Sequence, residues 1–372
     1  MQNNQIGGAA IGRAQGLNHL AIPGLTLAIG VMLCFSSLNS QAQSSILNTL
    51  GTPQTLSTVP SNGDVNPYGV AFVPAGFPTT GVLKAGDILV SNYNDNANLQ
   101  GTGSTIVYFR NGSQNLFYQD AQKVGFTTGL AVLKAGFVLV GSMPTSDGTS
   151  ATVKPGSLIA INAAGQIVWT LENKSQINGP WDFTVFDQGA TVTVFVSNVL
   201  NGTIERLVLG TKGGISVKNA TEISSGYTHR GDPAALEVGP TGLAYDFSRD
   251  TLYVAEGLEN AVYAIPDANA VGQNGGKGYK IYSDNLHLHG ALALTLAPNG
   301  NLICSNNDVI NTVAGQPSEL VEFTRGGKFV AEYSVDPNLG GSFGLGFGLV
   351  DGHSTFAAVD DNASSLLVWT LN

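Results

Sequence analysis

Five side chains carrying oxygen donors stand where apolar, β-rich runs turn polar: Asn92, Asn198, Glu256, Asn306 and Asp360, with Ser142 at a sixth equivalent place. Carboxylate and amide oxygens converging from several strands suit a hard cation such as Ca2+, and Asn198, Glu256, Asn306 and Asp360 are the candidate metal ligands. The same residue types also hydrogen-bond the backbone of their own turns, a role that needs no ion. His287 and His289 are two positions apart, so on a strand they face the same way. With His229 they would make three imidazoles fit for Zn2+ if their loops converge, whereas isolated loop histidines meet solvent or a carbonyl. Trp181 and Asp182 open an inner run that lacks the glycine of its counterparts, so the indole either plugs a channel or lines a pocket. Asn92, Trp181, Asp182, His229 and His289 are therefore the candidate ligand-binding rim.

Three shorter motifs carry less. Gly340-Gly341-Ser342-Phe343-Gly344 spells a nucleophile elbow but leads into a β-strand, where that chemistry needs a strand-to-helix turn with a placed His and acid. Arg230-Gly231-Asp232 is an integrin tripeptide of a kind that arises by chance. Asn92 to Asn98 offers alternating oxygens without the closing bidentate acid of a calcium loop, and reads as a polar turn.

The polar strand ends recur at gaps of 50, 56, 58, 50 and 54 residues, too long for a solenoid unit and right for one four-stranded propeller blade each. Six blades follow. Hairpins such as Ile106-Val107-Tyr108-Phe109-Arg110-Asn111-Gly112 mark outer strands, with a glycine to supply the positive φ of the tip. Inner strands hold glycine within the run, as in Tyr68-Gly69-Val70 and Thr241-Gly242-Leu243, where crowding round an axis demands small side chains. The last blade has three runs before the chain ends, so residues 54–59 should pair with residues 366–371 and close the ring. Long connections at residues 93–103, 143–156 and 307–317, with residues 225–239 joining the same face, should wall a groove.

Residues 1–42 read as an export signal: a polar start whose one basic residue is Arg13, an apolar stretch over residues 25–38, and Ser40-Gln41-Ala42 before the cut. The expected product is a secreted or periplasmic monomer of residues 43–372 with no membrane span. It keeps one cysteine, Cys304, so no disulfide within the chain is available. The formal net charge of −10 repels phosphate backbones and excludes nucleic acid as a partner. Only 11% of residues are charged while Gly numbers 48, a balance that favours many short strands over long helices.

Pro240-Thr241-Gly242-Leu243-Ala244-Tyr245-Asp246, then Thr251-Leu252-Tyr253-Val254-Ala255-Glu256 and Asn260-Ala261-Val262-Tyr263, resembles the NHL-repeat signature. Asn66-Pro67-Tyr68-Gly69-Val70-Ala71 with Val90-Ser91-Asn92 matches it in part. The resemblance implies an all-β, six-bladed propeller with four antiparallel strands per blade, and no particular activity. The chain is distantly similar to gluconolactonase-type propellers, which hold a divalent ion with Glu, Asn and Asp from several blades. Where those have a metal-binding Glu at the first inner strand, this chain has Asn66-Pro67-Tyr68. Amidoglycolate-lyase propellers use a His set of the kind considered above. The expectation is a binding or scaffold module for a small molecule, carbohydrate, peptide or envelope partner, with no cofactor assigned. The alternative is a divalent-metal-dependent lactonase or lyase using the strand-end ring.

Overall fold

The computed structural model describes residues 44–120, 124–307, 310 and 315–371. The export-signal segment, the middle of the 307–317 connection and any placement of the cut lie outside them. Blade one holds β2 (Val65–Phe72), β3 (Ile88–Asn94), β4 (Thr105–Arg110) and β5 (Ser113–Gln119), and is preceded by β1 (Gln54–Ser57). Blade two holds β6 (Phe126–Leu133), β7 (Phe137–Ser142), β8 (Ser157–Asn162) and β9 (Ile167–Leu171). Blade three holds β10 (Pro180–Asp187), β11 (Thr191–Asn198), β12 (Thr203–Gly210) and β13 (Ser216–Ser225). A separate hairpin, β14 (Arg230–Asp232) and β15 (Leu236–Val238), leads to blade four: β16 (Pro240–Asp246), β17 (Thr251–Glu256), β18 (Ala261–Pro266) and β19 (Tyr279–Tyr282). Blade five is β20 (Ala291–Leu296), β21 (Leu302–Asn306), β22 (Glu319–Phe323) and β23 (Phe329–Ser334). Blade six is β24 (Ser342–Val350), β25 (His353–Asp360) and β26 (Ser365–Thr370), completed by β1.

The six first strands β2, β6, β10, β16, β20 and β24 touch one another in that order and return to β2, closing the ring round an axis. Glycine permits that approach. A Cβ on Gly344 would lie 1.7 Å from the Tyr68 carbonyl oxygen of the next blade, and one on Gly242 2.4 Å from that of Leu292. Apolar side chains from facing blades fill the wedges between sheets, as where Tyr253, Val262 and Ala264 of blade four meet Leu294, Cys304 and Val321 of blade five. Closure is the pairing expected from counting strands: Gln54 faces Val368, Thr55 Leu367, Leu56 Leu366 and Ser57 Ser365. A second tie precedes it. Residues 44–50 cross blades five and six, where Leu47 packs with Phe356 and Trp369 while Ser45 and the Leu47 amide bond Glu322.

Each first strand carries a bulge near its start. Pairing skips from Pro67 to Val70, Phe126 to Leu130, Pro180 to Asp182, Pro240 to Leu243, Ala291 to Leu294 and Ser342 to Leu345. A bulge re-aims side chains and frees backbone amides that need new partners. Serine supplies them: Ser91, Ser197 and Ser305 accept from the amides of Gly69, Asp182 and Ala293 at 2.9, 3.0 and 2.9 Å. Ser91 and Ser197 then donate to the Thr127 and Thr241 carbonyls of the following blades. The recurrent Ser-Asn pair at strand ends is thus a device for setting the bulge and joining blades.

Candidate ligand site at the channel mouth

The bulges turn Tyr68, Trp181, Leu292 and Phe343 toward one end of the channel, where Tyr93 joins them in a cluster. Tyr68 stacks between Tyr93 and Phe343, with centroids 4.5 and 4.6 Å away, and Trp181 leans on both tyrosines at 5.7 and 6.2 Å. Such pairs contribute about 0.5–1.5 kcal/mol each beyond burial, which makes this mouth a rigid floor. Above it lies a cavity of about 160 Å3 lined by Asn66, Tyr68, Asn94, Gln100, Trp181, Ala234, Ala235, Phe343 and Asp361, among others. Three of the lining residues each bury a polar atom that has no hydrogen-bond partner: Asn66 Oδ1, Asn94 Oδ1 and Trp181 Nε1. Leaving such a group unmet costs about 1–3 kcal/mol, so three of them beside one space mark it as a candidate place for a polar ligand.

Local backbone chemistry holds them. Asn66, the second residue of β2, sits at φ 59°, a left-handed conformation that asparagine tolerates. Asn94 donates its amide to Asn98 Oδ1 at 2.7 Å, while its own oxygen is left without a partner. The walls come from interlocked loops. Tyr93 Oη donates to the Met143 carbonyl at 3.1 Å, Thr145 Oγ1 to the Gln100 carbonyl at 2.6 Å, and Gln100 Nε2 to the Ala234 carbonyl at 2.8 Å. Blades one and two and the β14–β15 hairpin so share one rim, the face where the long connections were expected.

No described lining residue is cationic. Burial, with Asp360 beside it, pushes the Asp361 carboxyl up to about 7. Burial also raises the Tyr68 and Tyr93 hydroxyls, keeping both protonated donors. The cavity therefore presents neutral donors and acceptors and one acid poised near neutrality.

Of the sequence-derived rim, Trp181 lines this cavity and the others stand elsewhere. Asn92 is buried and donates to the Thr58 carbonyl and Thr105 Oγ1, both at 3.1 Å. Asp182 faces the channel interior beyond Trp181, lining a second space of about 170 Å3. It accepts from the Phe183 and Leu243 amides, and burial pushes it up to about 7. His229 is exposed beside its neighbour Tyr227 carbonyl at 3.1 Å. His289 is buried, with its amide on Asn306 Oδ1 and its Nδ1 unpartnered. His287 pairs with Asp284 and stacks on Phe329.

The strand-end residues bond within their own neighbourhoods. Asn198 accepts from the Asn178 amide at 2.9 Å and donates to the Gln176 carbonyl, and Asn306 does the same with His289 and His287. Both so anchor the connection arriving from the preceding blade. Glu256 and Asp360 accept from the Glu259 and Ala363 amides of the turns that follow them. Among the described residues no group of three or more His, Cys, Asp or Glu is arranged to hold a metal ion. The asparagine oxygens spent on backbone amides do not fit a shared cation cage. Asn66, Asn94 and Asp361 were missed as site residues; the one signal, for Asn66, was Asn66-Pro67-Tyr68 standing where gluconolactonase-type propellers have a metal-binding Glu.

No family model matches the chain, and no curated protein does. Solved structures do match in fold. A gluconolactonase from Xanthomonas campestris superposes with a TM-score of 0.55 at 14% identity, covering 87% of this chain and 91% of that one. A Thermus thermophilus protein described as an oxidoreductase (glucose dehydrogenase) gives 0.50 at 15%, over 84% and 99%. A structure described as a gluconolactonase-family protein gives 0.51 at 13%, over 86% and 94%. Identities this low speak to the six-bladed architecture alone.

Proposed function

We propose that the chain is an exported, monomeric binding module whose ligand is a small, uncharged, hydroxyl-rich molecule, a saccharide or the end of one, seated at the channel mouth. The observation that carries this reading is the gathering of Asn66, Asn94 and Trp181, each with a buried and unpartnered polar atom, round one cavity over an aromatic floor. A hydroxyl both donates and accepts, so one polyol can satisfy two amide oxygens and an indole N–H together. An organic cation would need free ring faces, but both faces of Tyr68 are covered by Tyr93 and Phe343. An anion would meet Asp361 and no positive charge. The NHL-like phrasing of blade four supports placing the blades with that repeat class.

A divalent-metal lactonase or lyase is the second reading. Its support is the fold shared with the X. campestris gluconolactonase and the raised Glu256 and Asp360, at about 7 and about 6. It stands second because Asn198, Glu256, Asn306 and Asp360 each bond locally. A thermal-shift panel separates the two: neutral monosaccharides, aldonates, Ca2+, Mn2+ and EDTA. Stabilisation by a neutral sugar and indifference to cation and chelator are expected. A shift with Ca2+ or EDTA and none with any sugar would overturn the binding reading in favour of the metal enzyme.

A further inference from the structure

We infer that the β14–β15 hairpin is a lid over the channel-mouth cavity and that Leu236 is its latch, a regulation of the site that rests on the binding reading above. The hairpin belongs to no blade. Its three pairs, Arg230 with Val238, Gly231 with Glu237 and Asp232 with Leu236, are all internal. At its tip Ala234 and Ala235 line the cavity directly, and Asp232 Oδ1 accepts from both of their amides at 2.9 and 3.0 Å. The tip is therefore a preformed turn that moves as a unit.

Two contacts at the cavity hold the tip down, besides the packing of β14 on residues 150–152. Gln100 Nε2 of blade one donates to the Ala234 carbonyl at 2.8 Å. Leu236 is 1% exposed, its side chain set among Tyr68, Tyr93, Trp181 and Leu292. That insertion is made at φ 62°, a left-handed conformation that leucine adopts only when its surroundings enforce it. Burial of the side chain favours the closed lid and the strained backbone opposes it, which is the balance a latch requires. The ends are tethered where Tyr227 bonds the Gly202 carbonyl and Gly257 bonds the Gly239 carbonyl.

Closed, the lid packs Leu236 on Trp181 and walls the cavity with Ala234 and Ala235; lifted, it opens the cavity and leaves the pairing of every blade intact. Hydrogen exchange read by mass spectrometry on ligand-free protein tests this. Leu236→Ala should speed exchange over residues 230–238 by at least about tenfold, as loss of a buried leucine implies, with β16 and β17 unchanged. Gln100→Ala should speed the same segment by a few fold, and it serves where Leu236→Ala does not fold. Unchanged exchange in 230–238, or an equal rise across all blades, would overturn the lid. No ligand enters the measurement, so failure of the saccharide reading leaves it standing, and its own failure leaves a cavity that is always open.

Discussion

Replacing Glu322 by alanine should cost roughly 2–6 kcal/mol of stability, although the residue lies far from the channel mouth. Glu322 is fully buried on β22, and four donors converge on it: Ser45 Oγ at 2.8 Å, the Leu47 amide at 3.0 Å, Asn299 Nδ2 at 2.9 Å and Asn301 Nδ2 at 2.7 Å. The Ser45 and Asn299 donors lie near the surface and regain water when the carboxylate goes. The Leu47 amide and Asn301 Nδ2 are buried and do not, and each stranded donor costs about 1–3 kcal/mol. The loss falls on the segment that joins blades five and six ahead of β1, so it loosens ring closure. Urea unfolding of wild type and variant at pH 7 reads it. Burial alone would raise the Glu322 carboxyl, but the hydrogen bonds from Asn301, Leu47, Asn299 and Ser45 outweigh it and hold it below the ordinary value. A depressed folded pKa contributes stability above the unfolded value that is lost as pH falls through the folded one. The gap between the two proteins should therefore narrow in acid. A difference at pH 7 within about 0.5 kcal/mol, the range of an ordinary surface substitution, would refute the reasoning.

Burial pushes Asp182, Glu205, Glu237, Glu256 and Asp361 up to about 7. The folded protein then holds more protons than the unfolded chain between the ordinary carboxyl range and about pH 7, so stability falls as pH rises through that window; a melting temperature higher at pH 8 than at pH 5 would contradict this. Cys304 is unpaired and buried, its thiol pushed up to about 12, and should resist thiol reagents in native protein and react only on unfolding. Gly344→Ala places a methyl 1.7 Å from the Tyr68 carbonyl oxygen and should destabilise by about 3 kcal/mol or more, measured by urea unfolding; a near-neutral result would show that blades six and one can part without cost.

Blade number and closure were legible because they depend on patterns local to each run. Glycine within the strand marks a crowded axis, as at Gly242 and Gly344, and the missing fourth run after Leu371 pointed to residues 54–59. The site was harder to read. A bulge is a relation between two strands, so the turning of Tyr68 and Phe343 toward the mouth is invisible in either strand alone, and only the bulky Trp181 stood out. Asn94 was hidden in what reads as a polar turn, and its role depends on Asn98 taking its amide. The β14–β15 hairpin has three-residue strands interrupted by Pro233, too short to show alternation. The strand-end residues were visible for a sound reason, their regular spacing. Spacing places equivalent residues at equivalent points of separate blades, whereas a shared cage also needs their oxygens to point at one another.

If a ligand meets the unpartnered atoms at the channel mouth, Trp181→Phe should weaken its binding. That change removes the indole N–H and keeps an aromatic ring on the floor. Neutral monosaccharides titrated calorimetrically into wild type should show saturable binding at one site, weakened by about tenfold in the variant as loss of one buried hydrogen bond implies. No saturable binding to wild type, or equal affinity in the variant, would contradict the account.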